Sequence, residues 1–271
     1  MGGAIRAEVR KIFTTRLWWG LLLGLILVSG GVSALFASLV GTTVAGRNPA
    51  SNPFLIMTEG TAQLIYAGGF VYNLTPLFPL ALGVILITQE FRHQTISATF
   101  LARPRRVELL LAKVVAVVII GVVYGIVHDL AAGGFGTLVL AIKGEPTFLG
   151  SSATWQTFAI SLLTFVLWAL LGFGFGLLVR NQLAAVFLAL GIAFIAHIAL
   201  SIVFSILNWT TPPKFLPDNL SVGMLVTHDP TGGAGGASPY FSLWVNAAVF
   251  LGYAVVLSGL GSWLLSRRDI S

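Results

Sequence analysis

Five stretches of the chain contain no Asp, Glu, Lys or Arg: Leu17 to Gly46, Gly60 to Gln89, Pro146 to Val179, Asn181 to Pro213 and Pro230 to Ser266. Each is long enough for an α-helix to cross ~30 Å of hydrocarbon, which takes about 20 residues. A sixth candidate, Val114 to Ile142, is interrupted only by His128-Asp129. Soluble domains carry about 25% charged residues. This chain carries 9%, with 56% hydrophobic residues and a mean hydropathy of +0.94. An ordinary soluble globule is excluded, as is a disordered or fibrous chain. The 271 residues include no cysteine, which removes disulfides, thiolate chemistry and Cys-ligated metals.

The Ala- and Leu-rich runs show no two-residue alternation, so helices are favoured over a β-barrel. The sequence therefore predicts an all-α, polytopic membrane protein, a single transmembrane domain over 1–271. Six spans are expected at about 17–40, 64–88, 111–137, 155–179, 183–207 and 241–265. Arg6, Arg10, Lys11 and Arg16 precede the first span. Arg92, Arg103, Arg105, Arg106 and Lys113 lie between the second and third, Arg180 between the fourth and fifth, and Arg267 and Arg268 after the last. Only Arg47, Lys143 and Lys214 fall on the other side. By the positive-inside rule both termini are cytoplasmic.

The first apolar run is longer than the 7–15 residues of a signal-peptide core, and no A-x-A cleavage site follows it, so it reads as a retained helix. Ahead of it, Ile5, Val9, Ile12 and Phe13 share one helical face, with Arg6, Glu8, Arg10 and Lys11 around the rest. That pattern predicts an amphipathic helix lying in the interface, its cations (Arg6, Arg10, Lys11 and Arg16) reaching lipid phosphates.

Residues 89–113 form the most informative loop. It holds five of the 15 basic residues and two of the nine acids. Pro104 breaks any helix there. A short polar helix, a basic turn and re-entry into the membrane are expected. Such a segment is either a charged knob that docks on a cytosolic partner or a solvated positive-inside loop.

The order Glu90-Phe91-Arg92, Thr95-Ile96, Leu101, Pro104, Arg105-Arg106 and Lys113 resembles the permease subunit of ABC-2 type ATP-binding-cassette transporters. The basic amphipathic start, the Gly172 to Arg180 exit from span four and the Arg267-Arg268-Asp269 end are similar in style. The resemblance implies a cytoplasmic coupling helix between spans two and three, seated in a cleft of an ATPase. Glu90, Phe91, Arg92, His93, Thr95, Ile96, Leu101, Arg105 and Arg106 are then the coupling residues. It also implies two cytosolic ATPase subunits carrying ATP and Mg, a second permease protomer (identical or homologous), membrane lipids as surroundings, and export across a cell membrane. No nucleic-acid partner is expected. The chain has no G-x-x-x-x-G-K-[ST] to cradle phosphates, so it is expected to bind an ATPase rather than to be an enzyme or hold a cofactor itself. Leu27-Val28-Ser29-Gly30-Gly31 lies in the first apolar span and reads as helix packing.

Within the spans, Asp129 stands near mid-bilayer, where an unpaired charge costs ~2.5–3.5 kcal/mol on the insertion scale. It must be neutral, face a watery path, or pair, with His128 and with His197 of span five as candidates. Pro76 and Pro79, after Asn73 and Thr75, predict a kink or unwound turn in span two that could hinge a gate. Gly121/Gly125 and Gly172/Gly176 have the spacing for close helix approach within the chain. Six tryptophans lie near span ends as interfacial anchors, and Trp168 alone is mid-span. Residues 212–227 are apolar enough for short helices dipping back toward the bilayer from outside, as the resembling family has, and 232–239 is turn sequence. The histidines at 93, 128, 197 and 228 are scattered, giving no metal constellation, and no Ser/His/Asp set is spaced for catalysis. The competing reading is a proton-coupled secondary transporter using His128 and Asp129. An intramembrane enzyme trails both.

Overall fold

The computed structural model describes residues 2–42, 52–70, 74–92, 106–179, 181–225 and 240–267. Every regular element among them is helical. In chain order these are α1 (Gly2–Thr14), α2 (Leu17–Leu39), α3 (Glu59–Tyr66), α4 (Leu77–Arg92), α5 (Arg106–Lys143), α6 (Ser152–Leu178), α7 (Gln182–Ile206), α8 (Pro217–Leu225) and α9 (Leu243–Arg267). Five of them, α2, α5, α6, α7 and α9, are long and apolar enough to cross a membrane. This is the architecture of a multi-pass membrane protein.

Span two, expected as one helix over 64–88, is divided into α3 and α4. Gly68 and Gly69 take φ of +50° and +104° after α3, a conformation that glycine adopts without the Cβ clash. Pro76 precedes α4 and Pro79 lies in its first turn, where a missing N–H breaks no helical bond. The break therefore falls before the prolines rather than at a kink inside a helix. Span three, expected over 111–137, is instead part of the much longer α5. Nothing from Arg106 to Lys143 breaks a helix. It ends in a Schellman motif, with Gly144 at φ +70°, its N–H on the Ala141 carbonyl and the Glu145 N–H on that of Leu140.

The helices alternate in direction. α2 and α5 run side by side the same way, since the Ser33 hydroxyl donates to the Ala132 carbonyl (2.6 Å) and Ser29 meets His128 one turn earlier on both. α3 and α4 run back against α5, from Tyr66 beside Thr137 to Glu90 beside Lys113. The two pieces together cover the depth that Lys113 to Thr137 covers unbroken, roughly 36 Å at 1.5 Å per residue. α6 descends beside them: Gly121 and Gly125 face Val166 and Leu162, while Gly83 and Gly172 bring the backbones of α4 and α6 together. Both G-x-x-x-G pairs thus serve packing within the chain. α9 runs parallel to α6, with Phe250 on Trp168 and Leu257 and Gly261 against Gly174 and Leu177. The last helix accordingly ends at the same end of the bundle that carries α1.

Two elements position the rest of the site. α7 buries only a stripe of small residues, Ala185, Ala189 and Ala193, and includes a π turn at Gly191–Ala196. α8 follows a short 3-10 turn at Pro212–Phe215 and is buried along Leu220, Val222, Met224 and Leu225. It lies along α6, because Trp168 donates to the Ser221 hydroxyl (2.8 Å) and Thr157 to the Leu225 carbonyl. Trp168, the one mid-span tryptophan, is thus the post to which α8 is tied. Trp19, Trp155, Trp209, Trp244 and Trp263 are exposed near helix ends.

Candidate functional site

The charged site forms at the end of the bundle where α1, the end of α4 and the start of α5 meet. α1 turns Ala4, Glu8 and Ile12 inward, one turn apart. Lys113 of α5 binds Glu8 Oε2 at 2.8 Å and is ion-paired with Glu90 of α4. Lys11 closes the ring, 2.8 Å from Glu8 Oε1 and 3.1 Å from Glu90 Oε1. The Glu90 and Lys113 side chains are only 7% and 6% exposed. Charges so far from water are tolerated because each has a partner.

Burial by itself would raise the Glu8 pKa, but the Lys113 charge and the hydrogen bonds from Lys11 and Lys113 outweigh it and hold the carboxyl below its ordinary value. Lys11 is likewise pushed down by burial but raised overall by its contacts with Glu8 and Glu90. A cavity of about 40 Å³ beside the ring, lined in part by Gln89, Leu86 and Phe173, has room for one water. Glu90 Oε2 has no partner among the described residues.

Of the expected coupling residues, Glu90 therefore faces inward. Phe91 packs partly buried against Ile87, Val117, Ala169, Phe173 and Leu177. Arg92 is exposed and donates to the Gln182 side chain at the start of α7 (3.3 Å). Arg106 opens α5. His93, Thr95, Ile96, Leu101 and Arg105 lie outside the described residues, as do Arg180 and the turn sequence 232–239. Arg6, Arg10 and Arg16 are exposed around α1, whereas Lys11 belongs to the ion-pair ring. Glu8, expected on the polar face, is buried.

A second set of polar groups lies halfway along the bundle. His128 and Asp129 do not pair with each other. His128 is fully buried, its Nδ1 2.8 Å from the Ser29 hydroxyl and its ring between Phe70 and Phe165. Asp129, pointing the other way, accepts from the Ser161 hydroxyl of α6 at 2.5 Å. Nor does His197 reach Asp129. It stands just after the π turn of α7, with Nε2 3.2 Å from the buried Asp218 of α8. Adjacent helical residues point about 100° apart, which is why one neighbour takes the interior and the other the groove between α5 and α6. Pro76 and Pro79 sit at the entrance to α4.

Sequence reasoning missed Glu8, Ser29, Ser161 and Asp218 as site residues. Only Glu8 had a readable signal, an acid at i+4 and i−4 from two apolar residues of an otherwise basic helix. No protein-family model matches the chain, and no curated protein sequence does.

Proposed function

We propose that this chain is the permease subunit of an ABC-2 type transporter, an exporter that works with a second permease protomer and two cytosolic ATPase subunits. One observation carries the reading: the two helices on either side of residues 93–105 are clamped to each other. Glu90 lies in the last turn of α4 and Lys113 two turns into α5, and their ion pair is tied through Glu8 and Lys11 to α1. A push delivered to that segment by a partner reaches α4, α5 and the interfacial helix together. A solvated linker would need no such buried clamp, whose desolvation has to be offset by good geometry.

The reading places six crossings in a cell (plasma or inner) membrane, with α3 and α4 forming the second, and puts α1, 93–105 and the chain end in the cytoplasm. α8 then dips inward from the outer side. ATP and Mg sit on the partner, and this chain converts closure of the ATPases into movement around the pathway. The proton relay through His128 and Asp129 is disfavoured, since the two groups have separate partners on different faces.

Purification of the tagged chain from its native membrane under mild detergent, with mass-spectrometric identification of bound subunits, tests the assignment. An ABC ATPase in stoichiometric amount is the expected result. A monodisperse, folded chain that reproducibly brings down no ATPase would overturn it.

A further inference from the structure

Between α5 and α6 lies an open groove of about 850 Å³, within the ~300–1,000 Å³ range of small-molecule pockets. Its walls are almost wholly apolar, from Leu130 and Leu138 on one side to Phe158 and Leu162 on the other, with Trp155 at its far end. Glycines 133 and 134 keep the α5 side low. A Cβ at Gly134 would meet nothing within 4 Å, so the space there is free. The one ionisable lining group among the described residues is Asp129, half-buried, held by Ser161 on one oxygen.

The groove thus combines a large apolar surface with a single fixed carboxylate. His128, its chain neighbour, faces the interior and bonds Ser29, and no Lys or Arg among the described residues lines the groove. An acid in so apolar a setting either takes up a proton or is balanced by a cation, and among the described residues its own chain brings none to the groove. An anion would meet repulsion, and a neutral lipid tail would leave the carboxylate unanswered.

We infer that this groove binds a lipophilic cation, an amphiphile whose ammonium or phosphonium centre pairs with Asp129 while its apolar body lies toward Trp155. The partly exposed ring of Phe158, one turn before Ser161 on α6, adds attraction for such a charge. This deepens the transporter reading by giving the class of substrate, and rests on that reading only for calling the occupant a substrate.

Tetraphenylphosphonium and its near-isosteric anion tetraphenylborate are the probes, measured by equilibrium binding to the full chain in nanodiscs, with empty nanodiscs subtracted. The phosphonium binds saturably at one site per chain, and the borate does not. Asp129→Asn weakens phosphonium binding about tenfold or more, as loss of a desolvated charge partner does. Gly134→Phe, which fills the free space, weakens it to a similar degree while the melting temperature without probe stays at the wild-type value. If Asp129→Asn proves misfolded, the Gly134 variant and the two-ion comparison decide alone. Equal binding of both ions, unchanged binding in folded Asp129→Asn, or no saturable binding because lipid or a second copy covers the groove would each overturn the inference. No ATPase is needed for the measurement, so a chain that binds the phosphonium yet recruits no ATPase keeps the groove and loses the transporter, and the reverse result does the opposite.

Discussion

Lys113, two turns into α5, is ion-paired with Glu90 of α4, and the pair stitches the end of α4 to the first turns of α5. Lys113→Met leaves Glu8 and Glu90 buried with Lys11 as their only cation among the described residues. Breaking a buried pair this way costs about 3–5 kcal/mol, so the melting temperature in detergent should drop sharply. Adding Glu90→Gln removes the stranded charge and should recover much of the loss, because Glu8 and Lys11 still pair. A double variant no more stable than Lys113→Met would show that the two side chains do not act as a unit.

The same ring sets how α1 responds to pH. Glu8 titrates below its ordinary value of 4.5, so its contribution is present above that range and is lost as pH falls through the lowered value. Lys11 titrates above 10.5, so its contribution is present below that range and lost only at higher pH. Docking of α1 should therefore be flat between the ordinary carboxylate and lysine values of 4.5 and 10.5 and weaken only as pH falls below the first or rises above the second. A spin label at Arg10, on the exposed side of α1, would report this as a reversible rise in mobility. Release centred near pH 6 would point to a histidine instead.

Ser221→Ala leaves the Trp168 indole N–H buried without its acceptor. An unsatisfied buried donor costs about 1–3 kcal/mol, so the melting temperature should fall and proteolysis between α7 and α9 should quicken. Trp168→Phe should also destabilise, and the two losses should be strongly less than additive, since they remove the same bond. Simple additivity would mean that the bond contributes little to holding α8.

Because the chain has no cysteine, single introduced cysteines report sidedness cleanly. Arg10→Cys should react with an impermeant maleimide only from the cytoplasm, and Gly150→Cys, in the exposed turn after α5, only from outside. Reaction of both from one face would remove the proposed topology.

How much of this was legible beforehand follows from which interactions are local. Helix positions were largely readable, because uncharged length and single caps such as Ser151 and Asn181 act within a turn of the residue that carries them. The split of span two was half readable. Pro76 and Pro79 announced an irregularity, but its place depends on Gly68 and Gly69, which look like ordinary small residues until their φ is known. Asp129 announced itself by its charge, whereas its partner Ser161 is one of many hydroxyls on an apolar helix. The His197–Asp218 pair could not be foreseen, because it needs α8 to fold back along α6 and the π turn to set the direction of His197.

The divided crossing also changes how the bundle can move. α3 belongs to a cluster with Phe36, Val40 and Leu140 near the ends of α2 and α5, whereas Ile87 of α4 belongs to another with Val117, Phe173 and Leu177. The backbone contact at Gly83 and Gly172 welds α4 to α6. A continuous rod would carry any displacement at Glu90 straight through to Tyr66. If the chain is the proposed permease, two pieces with a glycine joint let the α4 half tilt while the α3 half stays in place, so that one end opens without breaching the other.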